Sequence, residues 1–312
     1  MSETAVRFES VSLSFGAVLA LGDVSADMPM GTVAGIAGPD GAGKTTLMRL
    51  AVGLLAPSAG VVSVLGRELP REAAGAPAAA GIRADVGYLP QRLGLHGHMS
   101  VRENLEYFAA LNGVTGKDAA SRMPELLALT GLAAFERRLA QNLSGGMKQK
   151  LAFACAVLHR PRLVLLDEPT TGVDPLSRRD MWELIYGLLG EGARAGVVVA
   201  TPSWEEAVRC QWLMVLDGGR VLTQAEPPAL IESARDLVWE LSAPPGAEQA
   251  LVDAPWALSV GRRGTGVRVV VNREAGDRAR QLLEQALPGS DPHRAAPGLE
   301  DAVVLLQRGR TR

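Results

Sequence analysis

The sequence predicts an α/β protein in which helices cover a mainly parallel sheet, followed by a small α+β domain. Short apolar runs such as VAGIAG (33–38) and LVLLDEP (163–169) alternate with segments of helical spacing, and this alternation is typical of βαβ units. Beyond the paired prolines the pattern changes to two β-like runs, LVWELS and GVRVVV, and the helical segment EAGDRARQLLEQAL. We therefore predict domains over 1–225 and 226–312, with the prolines in the join.

The composition is that of an ordinary soluble globular protein, with 47% hydrophobic and 21% charged residues among 312. A net charge of −2 gives no overall basic field, so we expect no nucleic-acid partner. The sequence has no signal-peptide pattern and no apolar run near the roughly 18–20 residues of a membrane span. Two cysteines in apolar contexts, Cys155 and Cys210, predict no disulfide framework and fit a reducing compartment.

The N-terminal elements are predicted from period-two and helical spacing. Two segments, 6–15 and 21–28, alternate as an antiparallel edge would. The buried strand 33–38 then leads into a glycine-rich loop and a helix from Lys44 to Leu55. The Ala-, Gly- and Pro-rich stretch Pro70–Gly81 predicts a surface insertion without chemistry.

The central elements continue the alternation. Ser100 and Glu103 have the spacing of a capping box, which predicts that a helical region begins there and runs to Thr130. The remaining predicted elements of the first domain are strands at 86–90, 163–166 and 197–200 and helices at 144–158, 175–189 and from Trp204.

The stretch GPDGAGKTT (38–46) between a predicted strand and a helix matches a phosphate-binding P-loop. Its glycines allow backbone N–H groups to surround phosphates, and the helix N-terminus adds a partial positive charge. Lys44 adds a full charge, and the Thr45 hydroxyl is placed for Mg²⁺. The predicted nucleotide-binding residues of this loop are Gly38, Pro39, Asp40, Gly41, Ala42, Gly43, Lys44, Thr45 and Thr46.

Two adjacent carboxylates, Asp167 and Glu168, end the apolar strand LVLLDEP. Acids at the end of a buried strand are costly unless they serve a cation or a reaction. Asp167 fits a Mg²⁺-holding role, directly or through water, and Glu168 fits a base that orients or deprotonates the attacking water. Together with the P-loop, this pair predicts an NTPase that uses Mg²⁺.

The stretch NLSGGMKQKLAFACAVL (142–158) predicts a second anion-binding site, because Leu-Ser-Gly-Gly begins a helix with a hydroxyl and exposed amides. With this third motif, residues 5–225 resemble the ATP-binding subunits of ABC transporters. The resemblance implies a P-loop NTPase fold of the ABC ATPase type, with a helical subdomain over about residues 92–160 that meets the permease.

The resemblance also implies roles for residues outside the P-loop. Ser144, Gly145 and Gly146 would form the signature that caps ATP on a facing subunit. Gln91 in YLPQ would contact Mg²⁺ and relay its state to the membrane subunit. Asp174 would lie in the D-loop that signals between the two sites, and Phe15 would stack on adenine, with core packing as its alternative role.

The sequence departs from the family at Pro202, where the strand after Asp167 would end in Thr-His and the histidine would contact the γ-phosphate. Thr201 or Ser203 can offer a hydroxyl but no positive charge. By analogy with oxyanion donors, losing one charge-assisted donor costs roughly 100- to 1,000-fold in rate. We expect the site to bind ATP and to hydrolyse it poorly.

The motif set resembles in particular the first ATPase half of bacterial drug-export subunits that carry two such halves. The tail PGLEDAVVLLQ (297–307) resembles the end of the accessory domain in ABC-2-type exporters. We expect an export ATPase that is cytoplasmic and peripheral on the inner face of the cell membrane, bound to a separate permease. A second ATPase chain with its own histidine is favoured over a homodimer, and the alternatives are a structural half-site and a soluble non-transport ATPase.

Overall fold

The structure is a computed structural model that describes residues 3–70, 81–190 and 195–309. The chain divides into two compact units: unit 1 is formed by 1–203 and 210–224, and unit 2 by 204–209 and 225–312. The segment 204–209 thus belongs with the C-terminal residues, although it precedes the domain boundary predicted at 225. Most of the predicted insertion Pro70–Gly81 lies outside the described residues.

The first sheet of unit 1 is antiparallel. Strands β1 (Thr4–Phe15) and β2 (Val18–Pro29) pair antiparallel, as the period-two pattern predicts. Strand β4 (Ala59–Val64) pairs antiparallel with β1, and β5 (Arg67–Glu68) pairs with β4. The strand order is β2-β1-β4-β5.

The second sheet of unit 1 is mainly parallel and confirms the predicted fold class. Its strands are β3 (Val33–Ala37), β6 (Val86–Leu89), β7 (Leu163–Asp167), β8 (Gly196–Thr201), β9 (Trp212–Asp217) and β10 (Arg220–Ala225). The order is β10-β9-β3-β8-β7-β6, and the pairs from β9 to β6 are parallel. Every residue of β3, β7 and β8 is buried, as expected for strands covered on both faces. Because β3, β7 and β8 are neighbours, their carboxyl ends meet at one edge of the sheet.

Five longer helices belong to unit 1: α1 (Lys44–Ala51), α2 (Val101–Leu111), α3 (Gly116–Leu129), α4 (Gly145–Val157) and α5 (Pro175–Gly187). The capping box predicted for Ser100 and Glu103 is complete at the start of α2. The prediction that α1 extends to Leu55 is wrong, because Gly53 takes a φ of +67° and turns the chain. Between residues 92 and 160 the long helices begin only at Val101 and end at Val157.

Unit 2 is an α+β unit around a third sheet. Its elements are α6 (Trp204–Ala207), α7 (Pro227–Glu232), β11 (Val238–Ser242), α8 (Gln249–Val252), β12 (Ala257–Arg263), β13 (Gly266–Val271), α9 (Ala279–Ala286), β14 (His293–Arg294) and α10 (Leu299–Gly309). The sheet is antiparallel, in the order β12-β13-β11-β14. The paired prolines, predicted as a join, begin α7 instead. Proline is accepted there because the N–H that it lacks would have no hydrogen-bond partner in the first turn of a helix.

No helix in residues 3–70, 81–190 and 195–309 combines the length and apolar character that crossing a bilayer requires.

Candidate functional site

The P-loop connects β3 to α1 and depends on glycines at two crowded positions. A Cβ on Gly38, whose φ is +158°, would overlap the carbonyl oxygen of Leu216. A Cβ on Gly43, whose φ is +104°, would lie 2.7 Å from Leu21 Cδ2. Only glycine fits both the backbone conformation and the space at these positions. The motif glycines are therefore also required because the loop packs closely against Leu21 and Leu216.

Lys44 is the first residue of α1, and its side chain is only 4% exposed. Its Nζ donates to the carbonyl oxygens of Gly38 at 2.9 Å and Pro39 at 3.0 Å. Burial lowers the pKa of this ammonium, and the carboxylate of Glu168 opposes the shift. A buried cation at the N-terminus of a helix favours a phosphate anion.

Asp167 ends β7 beside α1 and is fully buried. The Thr45 hydroxyl donates to its Oδ1 at 3.1 Å, whereas Oδ2 is buried with no hydrogen-bond partner in the described part of the chain. Burial raises the pKa of this carboxyl, and the Thr45 hydrogen bond acts against that rise. A buried carboxylate oxygen without a donor, next to a hydroxyl, suits a hard divalent cation that prefers oxygen ligands. The residues present therefore fit Mg²⁺.

Glu168 follows Asp167 in a left-handed backbone conformation with a φ of +54°. Such a conformation is strained for a residue with a side chain and is common at functional sites. Its Oε2 accepts from Gln91 Nε2 at 3.0 Å and from the Thr171 hydroxyl at 3.1 Å. Its N–H donates to the carbonyl oxygen of Ala200 at 2.9 Å, which ties the turn after β7 to the end of β8.

A cavity of about 240 Å³ collects most of these groups. Its lining residues are Ala20, Asp40, Gly41, Gly43, Lys44, Thr45, Thr46, Gln91 and Glu168. Of these, Ala20 is the residue that sequence reasoning missed, since a single alanine in β2 carries no motif. Phe15 is 50% exposed. Its side chain therefore does not pack in the core, which is the alternative to stacking on adenine.

The signature residues and Asp174 lie at the N-termini of neighbouring helices and do not line the described cavity. Ser144 is the N-cap of α4, and its Oγ accepts from Met147 N at 3.3 Å. Asp174 is the N-cap of α5, and its Oδ1 accepts from Ser177 N at 3.0 Å. Both motifs thus have a local role in helix capping.

Pro202 is half-buried and directly follows Thr201, the last residue of β8. The Ser203 N–H donates to Thr201 Oγ1 at 3.1 Å, so one of the two candidate hydroxyls accepts a local hydrogen bond. None of the residues described as lining the cavity is a histidine.

Comparison with protein families and curated proteins gives a consistent result. The family model described as ABC transporter matches residues 21–171. The probable multidrug ABC transporter ATP-binding protein YbhF of Escherichia coli (strain K12) is 38% identical over 284 residues, which cover 89% of this chain and 47% of that protein. The chain therefore spans about half the length of this relative. The Nod factor export ATP-binding protein I of Paraburkholderia xenovorans is 37% identical over 234 residues, covering 75% of this chain and 74% of that protein.

Solved structures show the same fold over 71–74% of this chain. One is an ATP-binding subunit of an ABC transporter, with 27% identity, a TM-score of 0.64, and coverage of 74% of this chain and 93% of that one. Another is a dimeric ATP-binding cassette in a post-hydrolysis state with ADP and Pi, with 25% identity, a TM-score of 0.64, and coverage of 71% and 98%. A third is cbiO1 from Clostridium perfringens, part of the complex cbiONQ, with 23% identity, a TM-score of 0.66, and coverage of 74% and 91%.

Proposed function

Because this chain belongs to the ABC transporter family, we propose that it is the ATP-binding and hydrolysing subunit of an exporter, acting through a separate membrane permease. The observation that carries the proposal is the cavity in which Lys44, Thr45, Gln91 and Glu168 converge. The names of the relatives, a probable multidrug transporter protein and a Nod factor export protein, support export, and the first of them favours the proposed efflux of the multidrug or antibiotic type. The proposed location is the cytoplasmic face of the membrane, through the permease.

The chemistry follows from the positions of the side chains. Lys44 and the P-loop amides hold the β- and γ-phosphates, while Phe15 offers an exposed ring to adenine. Thr45 and Asp167 would hold Mg²⁺, which would supply positive charge to neutralise the transferred phosphoryl group. Glu168 orients or deprotonates the attacking water. Gln91 holds the Glu168 carboxylate in place through its hydrogen bond to Oε2.

Hydrolysis at this site is proposed to be weakened by Pro202. Ala200, two residues earlier, contacts the Glu168 backbone, so the chain after β8 leaves the sheet beside the candidate base. A proline there provides neither a side-chain donor nor an N–H. The same feature supports the second candidate function, in which this chain is an ATP-binding half-site that serves a partner ATPase.

The signature residues are proposed to act on a facing subunit, because they cap a helix outside the described cavity. With this arrangement each ATP lies between the P-loop of one chain and the signature of the other. A partner with its own histidine then forms one fast and one slow site, so we propose a heterodimer.

The permease is proposed to dock in an apolar groove of about 430 Å³. Pro90 and Leu93 on either side of Gln91 line it, as do Tyr107 and Leu111 of α2, which are 41% and 68% exposed. Exposed apolar side chains that line a groove are typical of interaction sites. The sequence neighbours of Gln91 thus connect the groove with the nucleotide cavity.

The test is a titration of MgATP into Lys44→Ala. Removing a charge-assisted hydrogen bond costs about 1.5–3 kcal/mol, so the Kd should rise by roughly 10- to 100-fold. Lys117→Ala, which removes an exposed lysine at the start of α3, is the matched control and should bind as the wild type does. Equal affinity of both variants would contradict the assignment of the site.

A further inference from the structure

The N-termini of α4 and α5 approach each other at Gly146 and Ser177. A Cβ on Gly146 would overlap Ser177 Oγ and lie 2.6 Å from Ser177 Cβ, whereas carbon atoms pack at about 3.5–4.0 Å. The next nearest atom, Asp174 Oδ2, would lie 3.8 Å away, at ordinary contact distance. Ser177 is therefore the residue that excludes a side chain at the second glycine of the signature.

Ser177 is itself fixed by Asp174. The Ser177 hydroxyl donates to Asp174 Oδ2 at 2.7 Å, and the Ser177 N–H donates to Asp174 Oδ1 at 3.0 Å. These bonds, led by the backbone N–H, hold the pKa of the Asp174 carboxyl below its usual value. Because both carboxylate oxygens accept from Ser177, the D-loop aspartate determines the orientation of the serine that touches the signature.

A second link lies one turn further along both helices. Lys150 Nζ of α4 lies 2.6 Å from Asp180 Oδ2 of α5, in a partly buried ion pair. The two helices are thus joined at successive turns, first by the Gly146–Ser177 contact and then by this pair. Such contacts favour movement of the two N-termini together.

We propose that Ser177 is a positioning residue that holds the signature, Ser144–Gly146, and the D-loop residue Asp174 in a fixed relation. A displacement of either motif then displaces the other. The signature, which faces the partner's ATP, and the D-loop therefore change conformation together. This proposal rests on the proposed function, in which the signature caps ATP on a facing subunit.

The test adds a side chain at Gly146 and removes one at Ser177, in the full-length chain purified in complex with its permease. Gly146→Ala should lower kcat for MgATP by about 10- to 100-fold, since misplacement by about 1 Å can cost that much. Adding Ser177→Gly removes both overlapping atoms and should return kcat to within about threefold of Ser177→Gly alone, as expected for directly coupled sites. Gly146→Ala with Ser177→Ala is the matched control, because the serine Cβ that lies 2.6 Å away is retained, and it should stay inactive.

The Kd of MgATP at this chain's own P-loop should remain unchanged in every variant, because Lys44 and Thr45 are untouched and this chain's signature faces the partner's nucleotide. If the wild-type complex is active and the two double variants have equal kcat, the positioning role of Ser177 is wrong and the proposed function stands. A wild-type complex without MgATP turnover would instead contradict the proposed function and, with it, this role.

Discussion

Pro202 is the one residue at which the site is proposed to be weakened. The structure retains the carboxylates of Asp167 and Glu168, the Lys44 ammonium and the Gln91 contact with Glu168. The chain leaves β8 at Thr201, and the residue that follows has no group able to donate a hydrogen bond. The proposal that this chain binds nucleotide but hydrolyses it slowly therefore depends on this one residue.

Pro202→His should raise the steady-state ATPase rate of the assembled transporter, because an imidazole supplies the missing donor to the transferring phosphoryl group. The gain should reach up to about 100-fold if the backbone accommodates the change. Pro202→Ala is the matched control, since it frees the backbone without adding a donor. Equal rates in the two variants, with MgATP binding intact, would contradict Pro202 as the cause of low activity.

The individual residues of the site were largely predictable, because the P-loop and the carboxylate pair are local motifs. Their contacts were not. Gln91 and Glu168 meet only because β6 and β7 are parallel neighbours. The contact between Gly146 and Ser177 depends on helix packing that no spacing in the sequence encodes.

At the scale of elements, the capping box of α2 has a measurable contribution to stability. The Glu103 N–H donates to Ser100 Oγ at 3.2 Å, and the Ser100 N–H donates to Glu103 Oε2 at 2.7 Å. Ser100→Ala should lower the free energy of unfolding by about 1 kcal/mol, measured by urea denaturation. Ser121→Ala, whose hydroxyl only donates to Asp118 O on an exposed face, should change it by less than about 0.5 kcal/mol. A loss for Ser100→Ala no larger than that of this control would show that the box does not stabilise α2.

Most elements with a strong apolar pattern are predicted correctly, and several of their ends differ, as at the C-terminus of α1. Buried strands such as β3, β7 and β8 stand out as continuous apolar runs. Strands β4, β5, β9, β10, β12 and β14 are not predicted from the sequence. Strand β9 is missed although WLMVLD contains a continuous apolar run, whereas ALSVGRR of β12 ends in glycine and two arginines. The sequence predicts a join at the start of α7 because two prolines are typical of both a linker and a first helical turn.

At the scale of the whole molecule, the proposed asymmetry of the dimer predicts unequal effects of the same substitution. Glu168→Gln in this chain should reduce the turnover of the transporter far less than the matching change in the partner ATPase, because the site with a histidine carries most hydrolysis.

Ser144→Arg here should silence the complex, since it places a bulky side chain where the partner's γ-phosphate binds. If this chain alone, with MgATP, reaches the full rate of the assembled transporter, the heterodimer proposal is wrong.

The segment 204–209 makes the division of the chain discontinuous. The chain enters unit 2 after Ser203, returns to unit 1 at Cys210 and enters unit 2 again at Ala225. Transferring the C-terminal region to another ATPase by a single cut near residue 225 would leave α6 behind and separate it from α10, which it contacts. An exchangeable module therefore consists of two separate stretches of sequence, and the stretch that a single cut omits begins two residues after Pro202.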